Sequence, residues 1–109
     1  MRIWDIAPKK LCRNHLLGEH RELHAIWSVL TKNKKGYSRH PETLRWKGKL
    51  AALYLRHKML IEEMESRGYC HNSKLDYRLA SGIKKQSDFV DSRKKQIEIL
   101  RNKNCSCRV

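Results

Sequence analysis

Leu16, Leu23, Ile26, Trp27 and Leu30 recur at steps of three, four and seven residues, the spacing that lines side chains along one face of an α-helix. A first helix is therefore predicted to run to about Lys32. Pro8 suits its opening turn, where a missing N–H costs nothing, although the start can lie several residues later. Leu50, Leu53, Tyr54, Leu60, Ile61 and Met64 give a long run from Lys49 to Arg67 a second apolar face, and Gly68 is its C-terminal stop. Pro41 with Glu42 opens a helical stretch just before it, which Gly48 interrupts. A last helix is predicted from Ser87 or Asp88 to about Asn102, capped by Ser87, with Phe89, Ile97 and Leu100 inward.

The remaining segments read as connections. Residues 1–7 alternate apolar and polar side chains as an extended arm, and residues 69–86 lack a period and read as loop with a short turn. Residues 32–39 form a solvated basic loop broken by Gly36, with Tyr37 near its middle. The expectation is an all-α, compact single-domain bundle of about three main helices with an extended N-terminal arm, covering residues 1–109. A chain of 109 residues leaves no room for a second independent core.

That core must be thin, because only 39% of residues are hydrophobic and the mean hydropathy is −0.79. A metal, a disulfide or a bound polymer would help such a domain hold together. Cys12, Cys70, Cys105 and Cys107 make no CxxC pair. Cys105 and Cys107, with Cys12 or a histidine, have the donor types to ligate zinc, but the expected reading is ordinary free thiols, with no metal and no cofactor.

Twenty-five Lys and Arg against eleven Asp and Glu give a formal charge of +14, which points to an anionic polymer before a small-molecule substrate. Nine basic residues and a single acid, Glu42, lie between Thr31 and Lys58, and eight more face three acids between Ile83 and Val109. Two such regions can converge into one phosphate-binding groove. No stretch approaches the roughly 18 apolar residues of a membrane span, and no secretory signal is visible, so the expected location is the cytoplasm, with nucleoid association through DNA, or the nucleus of a cell that has one. The expected state is a monomer without membrane contact.

The residues best placed for chemistry lie between His15 and His24. On a helix, His15, Glu19 and Glu22 share one face while Leu16, His20 and Leu23 share another, so a histidine and two acids project together. Partial burial beside Leu23 and Ile26 would tune Glu22 for proton transfer. The same residues also suit a helix surface of Glu–Arg and Glu–His pairs. His20 and His24 have i, i+4 spacing but lack the HExxH arrangement of a catalytic metal helix.

Three segments carry a resemblance: Met1-Arg2-Ile3-Trp4; His15-Leu16 with Glu19 and Arg21-Glu22-Leu23; and Glu63 followed by Arg67-Gly68-Tyr69. They resemble the pyrimidine-dimer DNA glycosylase family of the phage endonuclease V type. Leu11-Cys12-Arg13, the run from Gly18 to Ala25, the run from Tyr37 to Trp46 and the Cys105-x-Cys107 tail are closer still to short cellular members of that family. Ala25 stands near the position of a second arginine in the phage enzyme, and residues 102–109 replace its aromatic, basic tail.

The resemblance implies a helical protein that flips a damaged pyrimidine out of double-stranded DNA, removes it and cuts at the resulting abasic site. It implies that the α-amine of Met1 attacks C1′ of the deoxyribose to form an imine, and that β-elimination follows. An α-amine has a reference pKa of about 7.7–8.0 against about 10.4 for lysine, so much of it is nucleophilic at neutral pH. Methionine is retained before a bulky Arg2. The resemblance makes Glu22 the catalytic carboxylate, Arg21 and Arg2 contacts to the lesion's backbone, and His15 a histidine lining the site. Trp46, Tyr37 and Trp4 are candidates to replace lost base stacking, and Lys34, Lys35, Arg39, Arg45 and Lys47 to hold the bent backbone. Trp27 belongs to the core. Imine chemistry needs no dissolved cofactor, so activity is expected to survive a chelator. The rivals are a non-catalytic basic helical module for DNA or RNA, and a small RNA-associated zinc protein.

Overall fold

The computed structural model describes residues 2–32, 39–69, 74–103 and 105–109. Four α-helices are present among them, α1 (Arg13–Thr31), α2 (Pro41–Trp46), α3 (Leu50–Ser66) and α4 (Arg93–Asn102), with 3-10 turns at Pro8–Lys10 and Tyr77–Leu79 and no strand. The arm, α1 and α3 enclose the core, where Ile3, Leu11, Leu16, Leu23, Ile26, Leu53, Leu60 and Leu100 are all but inaccessible. No described helix is long and apolar enough to cross a membrane.

Two helix starts differ from the sequence expectation. Pro8 opens the 3-10 turn rather than α1, because Leu11 is extended and drops its side chain into the core, and the chain becomes helical only after Cys12. α4 is capped by Ser92, whose Oγ accepts from the Lys95 N–H at 3.1 Å, not by Ser87. Residues 86–91 are engaged elsewhere. The Asp88 carboxylate pairs with Lys49, the Asp88 carbonyl accepts from Arg45, and the Asp91 carbonyl accepts from Gln96. Phe89 is consequently exposed beneath Arg93 instead of pointing inward, whereas Leu100 is buried and Ile97 partly so.

The breaks around α3 follow local rules. Gly68 has φ +78°, and the Gly68 and Tyr69 N–H groups return to the Glu65 and Met64 carbonyls at 3.0 and 2.9 Å, a Schellman closure. At the other end no side chain caps α3; the Ser81 and Ile83 carbonyls accept from the Ala51 and Ala52 N–H groups at 2.8 and 3.2 Å. The segment after the second 3-10 turn therefore serves as the cap of α3. It brings the second basic region alongside the first, with Gln86 donating to the Arg45 carbonyl.

Candidate active site and nucleic-acid surface

Backbone N–H and C=O groups of a buried extended strand need partners, and a lone arm has no neighbouring strand to supply them. Here side chains do so. The Ile3 N–H donates to Glu42 at 3.2 Å, the Trp4 N–H to Glu19 at 3.0 Å and the Asp5 N–H to Gln96 at 2.7 Å. The Ile3 and Ile6 carbonyls accept from Arg45 and Arg56 at 2.9 and 3.0 Å. Each arginine also binds one of the same acids, Arg45 with Glu42 and Arg56 with Glu19. The arm is thus held by side chains of all four helices, with Trp4 against His15 and Glu19 of α1.

On α1, Glu19 is fully enclosed. Burial pushes its carboxyl above the ordinary value, and the Arg56 charge and hydrogen bonds with the Trp4 N–H offset only part of that. Glu22 lies one turn further along α1, about 4.5 Å on at 1.5 Å per residue, and is half-buried. The two acids thus divide the work by environment: Glu19 is committed to the arm, and Glu22 is reachable from solvent.

Arg2 is partly exposed, paired with Asp91 at 2.9 Å and stacked over Trp4 at 5.0 Å. Arg21, Arg39 and Lys47 are exposed and open to an anionic partner. Arg45 and Trp46 are not on the DNA-facing surface expected of them. Trp46 is only 2% exposed within the core, and Arg45, 8% exposed, binds Glu42, Asp5 and two backbone carbonyls. Trp4 is likewise buried, as is Trp27, whose core place was expected. Met1, Lys34, Lys35 and Tyr37 lie outside the described residues.

His15 stands in an unexpected setting. Its Nδ1 is 3.1 Å from Cys12 Sγ and 3.2 Å from Cys107 Sγ, and its ring meets Trp4 edge-on at 5.7 Å. Burial and the Lys103 charge hold the imidazole below its ordinary value. Burial and the neighbouring thiols push Cys107 up to about 12, whereas Cys12 is brought below the usual thiol value: burial opposes that shift, but the His15 N–H, the Cys107 thiol and the Ser106 and Asn14 N–H groups outweigh it. A second cluster forms where His57 of α3 joins His20 and His24 of α1, with 3.0 Å between the Nε2 atoms of His24 and His57.

A groove of about 660 Å³ runs between the arm, α3 and residues 84–97, its apolar floor including Leu55, Met59 and Phe89 and its rim Lys84, Lys85 and Arg93. Glu22 does not line it, so groove and carboxylate are separate features. The first basic region keeps part of its charge inside the protein, since Arg45 and Arg56 pair with buried acids and buried Lys49 pairs with the exposed Asp88 carboxylate. Every Lys and Arg from 84 to 108 is exposed.

The residues that sequence reasoning missed are Arg56, Glu42 and Gln96. Arg56 had a legible signal: it lies three residues after Leu53 and four before Leu60, on the buried side of α3. Gln96, near the start of α4, had none.

Comparison with curated proteins and with solved structures found no match. The family model described as pyrimidine dimer DNA glycosylase matches residues 1–77, which span the arm, α1, α2 and α3; of the residues that hold the arm, Asp91 and Gln96 lie beyond the match. By that match over most of its length, the chain belongs to the pyrimidine dimer DNA glycosylase family.

Proposed function

We propose that this DNA-repair glycosylase is bifunctional, with Met1 as nucleophile and Glu22 as catalytic carboxylate. The Met1 α-amine attacks C1′, the C1′–N bond to the damaged pyrimidine breaks and the base leaves with a proton; the C1′–O4′ bond then opens, O4′ taking up a proton, as the amine nitrogen forms the C1′ imine. The resulting imine acidifies the C2′ hydrogen. Its removal drives cleavage of the C3′–O bond, and the 3′-side phosphate departs. Glu22 stabilises positive charge developing on the sugar and manages the C2′ proton. Arg2 and Arg21 contact the lesion's backbone, with Arg39 and Lys47 as further phosphate contacts.

One observation carries this reading: the arm's backbone is clamped at Ile3, Trp4 and Asp5 by Glu42 of α2, Glu19 of α1 and Gln96 of α4, and Glu19 lies one turn from Glu22 on the same helix. Restraint of the neighbouring chain raises a nucleophile's effective concentration, and the clamped backbone begins at Ile3. The test is borohydride trapping on a duplex with one abasic site, using untagged protein and a form extended or acetylated at the N-terminus. A covalent protein–DNA adduct is expected only with the free Met1 amine. Tight binding without an adduct would leave a DNA-binding module in its place.

A further inference from the structure

We propose that Cys12, His15, Cys105 and Cys107 form a structural zinc site that fastens the C-terminal tail to the start of α1. Their ligand atoms all lie within 4.8 Å of one another. Two come from one end of one helix: Cys12 is the N-cap of α1 and His15 lies in its first turn, three residues on and on the same side. The other two come from the tail after α4, which doubles back so that the Arg108 N–H donates to the Lys10 carbonyl at 2.7 Å and Cys107 Sγ accepts from the Cys12 N–H at 3.1 Å.

Tetrahedral zinc, with Zn–S of about 2.3 Å and Zn–N of about 2.0–2.1 Å, spaces its ligand atoms about 3.5–3.8 Å apart. The Sγ···Nδ1 separations of 3.1 and 3.2 Å lie just below that spacing, and the widest pair of the four is within about an ångström above it. A central ion would spread the close pairs and draw in the wide ones. Three thiolates and one imidazole are a soft donor set that selects zinc over magnesium or calcium. Four protein ligands close the coordination sphere, which is the signature of a structural rather than a catalytic ion.

Such a site answers two needs of this chain. The first turn of α1 has neither a side-chain cap nor an acidic residue. The 105–109 tail reaches the core only through partly buried Cys107 and Val109. The ion would also set the His15 ring against Trp4, tying the tail to the arm. This inference is independent of the imine chemistry, which needs no metal.

Untagged full-length protein prepared with zinc is expected to carry one zinc ion per chain by elemental mass spectrometry, and a cobalt-loaded form to show the visible bands of tetrahedral thiolate coordination. Cys105→Ser/Cys107→Ser should lose both, and a strong chelator should lower Tm of the parent but not of that variant. His15→Cys keeps four ligands, so it should retain the metal with a shifted cobalt spectrum even if the double variant does not fold. Reduced, metal-free protein with freely reactive thiols would overturn the proposal, as would a Cys12–Cys107 disulfide detected by mass. Zinc that persists in the double variant would overturn it too and move the metal to His20, His24 and His57.

Discussion

Glu19 and Arg56 face each other across α1 and α3 in a two-point contact, Arg56 Nε to Oε2 at 2.7 Å and Nη2 to Oε1 at 2.9 Å. The same two groups hold the Trp4 N–H and the Ile6 carbonyl. One ion pair therefore joins two helices and the arm.

Replacing Arg56 with Met leaves a carboxylate buried without its cation, a change that costs about 3–5 kcal/mol in comparable sites. Urea unfolding should show the loss. It should also show a pH dependence whose sign is fixed. A buried acid raised above its unfolded value holds its proton longer in the folded state, so the penalty is greatest above the folded pKa and fades as pH falls toward the unfolded value near 4.3. The gap between parent and R56M should narrow on acidification; a gap that widens would mean that Glu19 is not the group left stranded.

Glu22→Gln should abolish strand cleavage while leaving the unfolding free energy within about 0.5 kcal/mol of the parent, since the substitution is isosteric and Glu22 is half-buried. Loss of a general acid–base typically costs on the order of 10²–10⁴-fold in rate. Glu19→Gln should do the reverse and lower stability first. Single-turnover cleavage and thermal melts on both variants separate the two acids.

Gly82 and Gly68 both have positive φ, +84° and +78°, but their surroundings differ. A Cβ on Gly82 would stand 2.1 Å from the Gly48 carbonyl oxygen, whereas one on Gly68 meets nothing within 4 Å. Gly68→Ala should cost about 1–2 kcal/mol from backbone conformation alone. Gly82→Ala should cost distinctly more and raise hydrogen exchange at the Ala51 and Ala52 amides that its segment caps. Equal losses would refute this account of the α3 cap.

Arg45 and Lys47 stand two residues apart with opposite fates, one inside and one exposed. Lys47→Ala should weaken DNA binding and reduce the salt slope by about 0.9 for one lost phosphate contact, at little cost in stability. Arg45→Lys should lower stability, because an ammonium cannot reach all the acceptors of a guanidinium, by about 1–3 kcal/mol for groups left unsatisfied. It should leave the salt slope unchanged. Titrations at several salt concentrations with parallel melts would show a reversed pattern if Arg45 were the DNA contact.

The helical period, the glycine stops and the Pro41 start of α2 were legible in the chain because they are local: α1 and α3 end within a residue of where Lys32 and Gly68 place them. Glu19 and Arg56 were legible in part, since each sits three residues after one fully buried leucine and four before another, which puts a charge on a core face and calls for a partner. Which partner, the sequence does not specify. Sequence resemblance also supplied the family and the choice of Glu22.

Tertiary structure alone decided the rest, because those choices rest on contacts between residues far apart in the chain. Arg45 looked like a DNA cation from its neighbours and became internal only because Asp5, Glu42 and the Ile3 carbonyl gather around it. Ser87 lost the cap of α4 to Ser92 because Asp88 was drawn to Lys49 and Arg45. Cys12 and Cys107 are 95 residues apart and meet only when the tail returns to α1. Local spacing fixes which face of a helix is apolar; which buried charge meets which donor depends on how the helices pack, and no period in the chain encodes that.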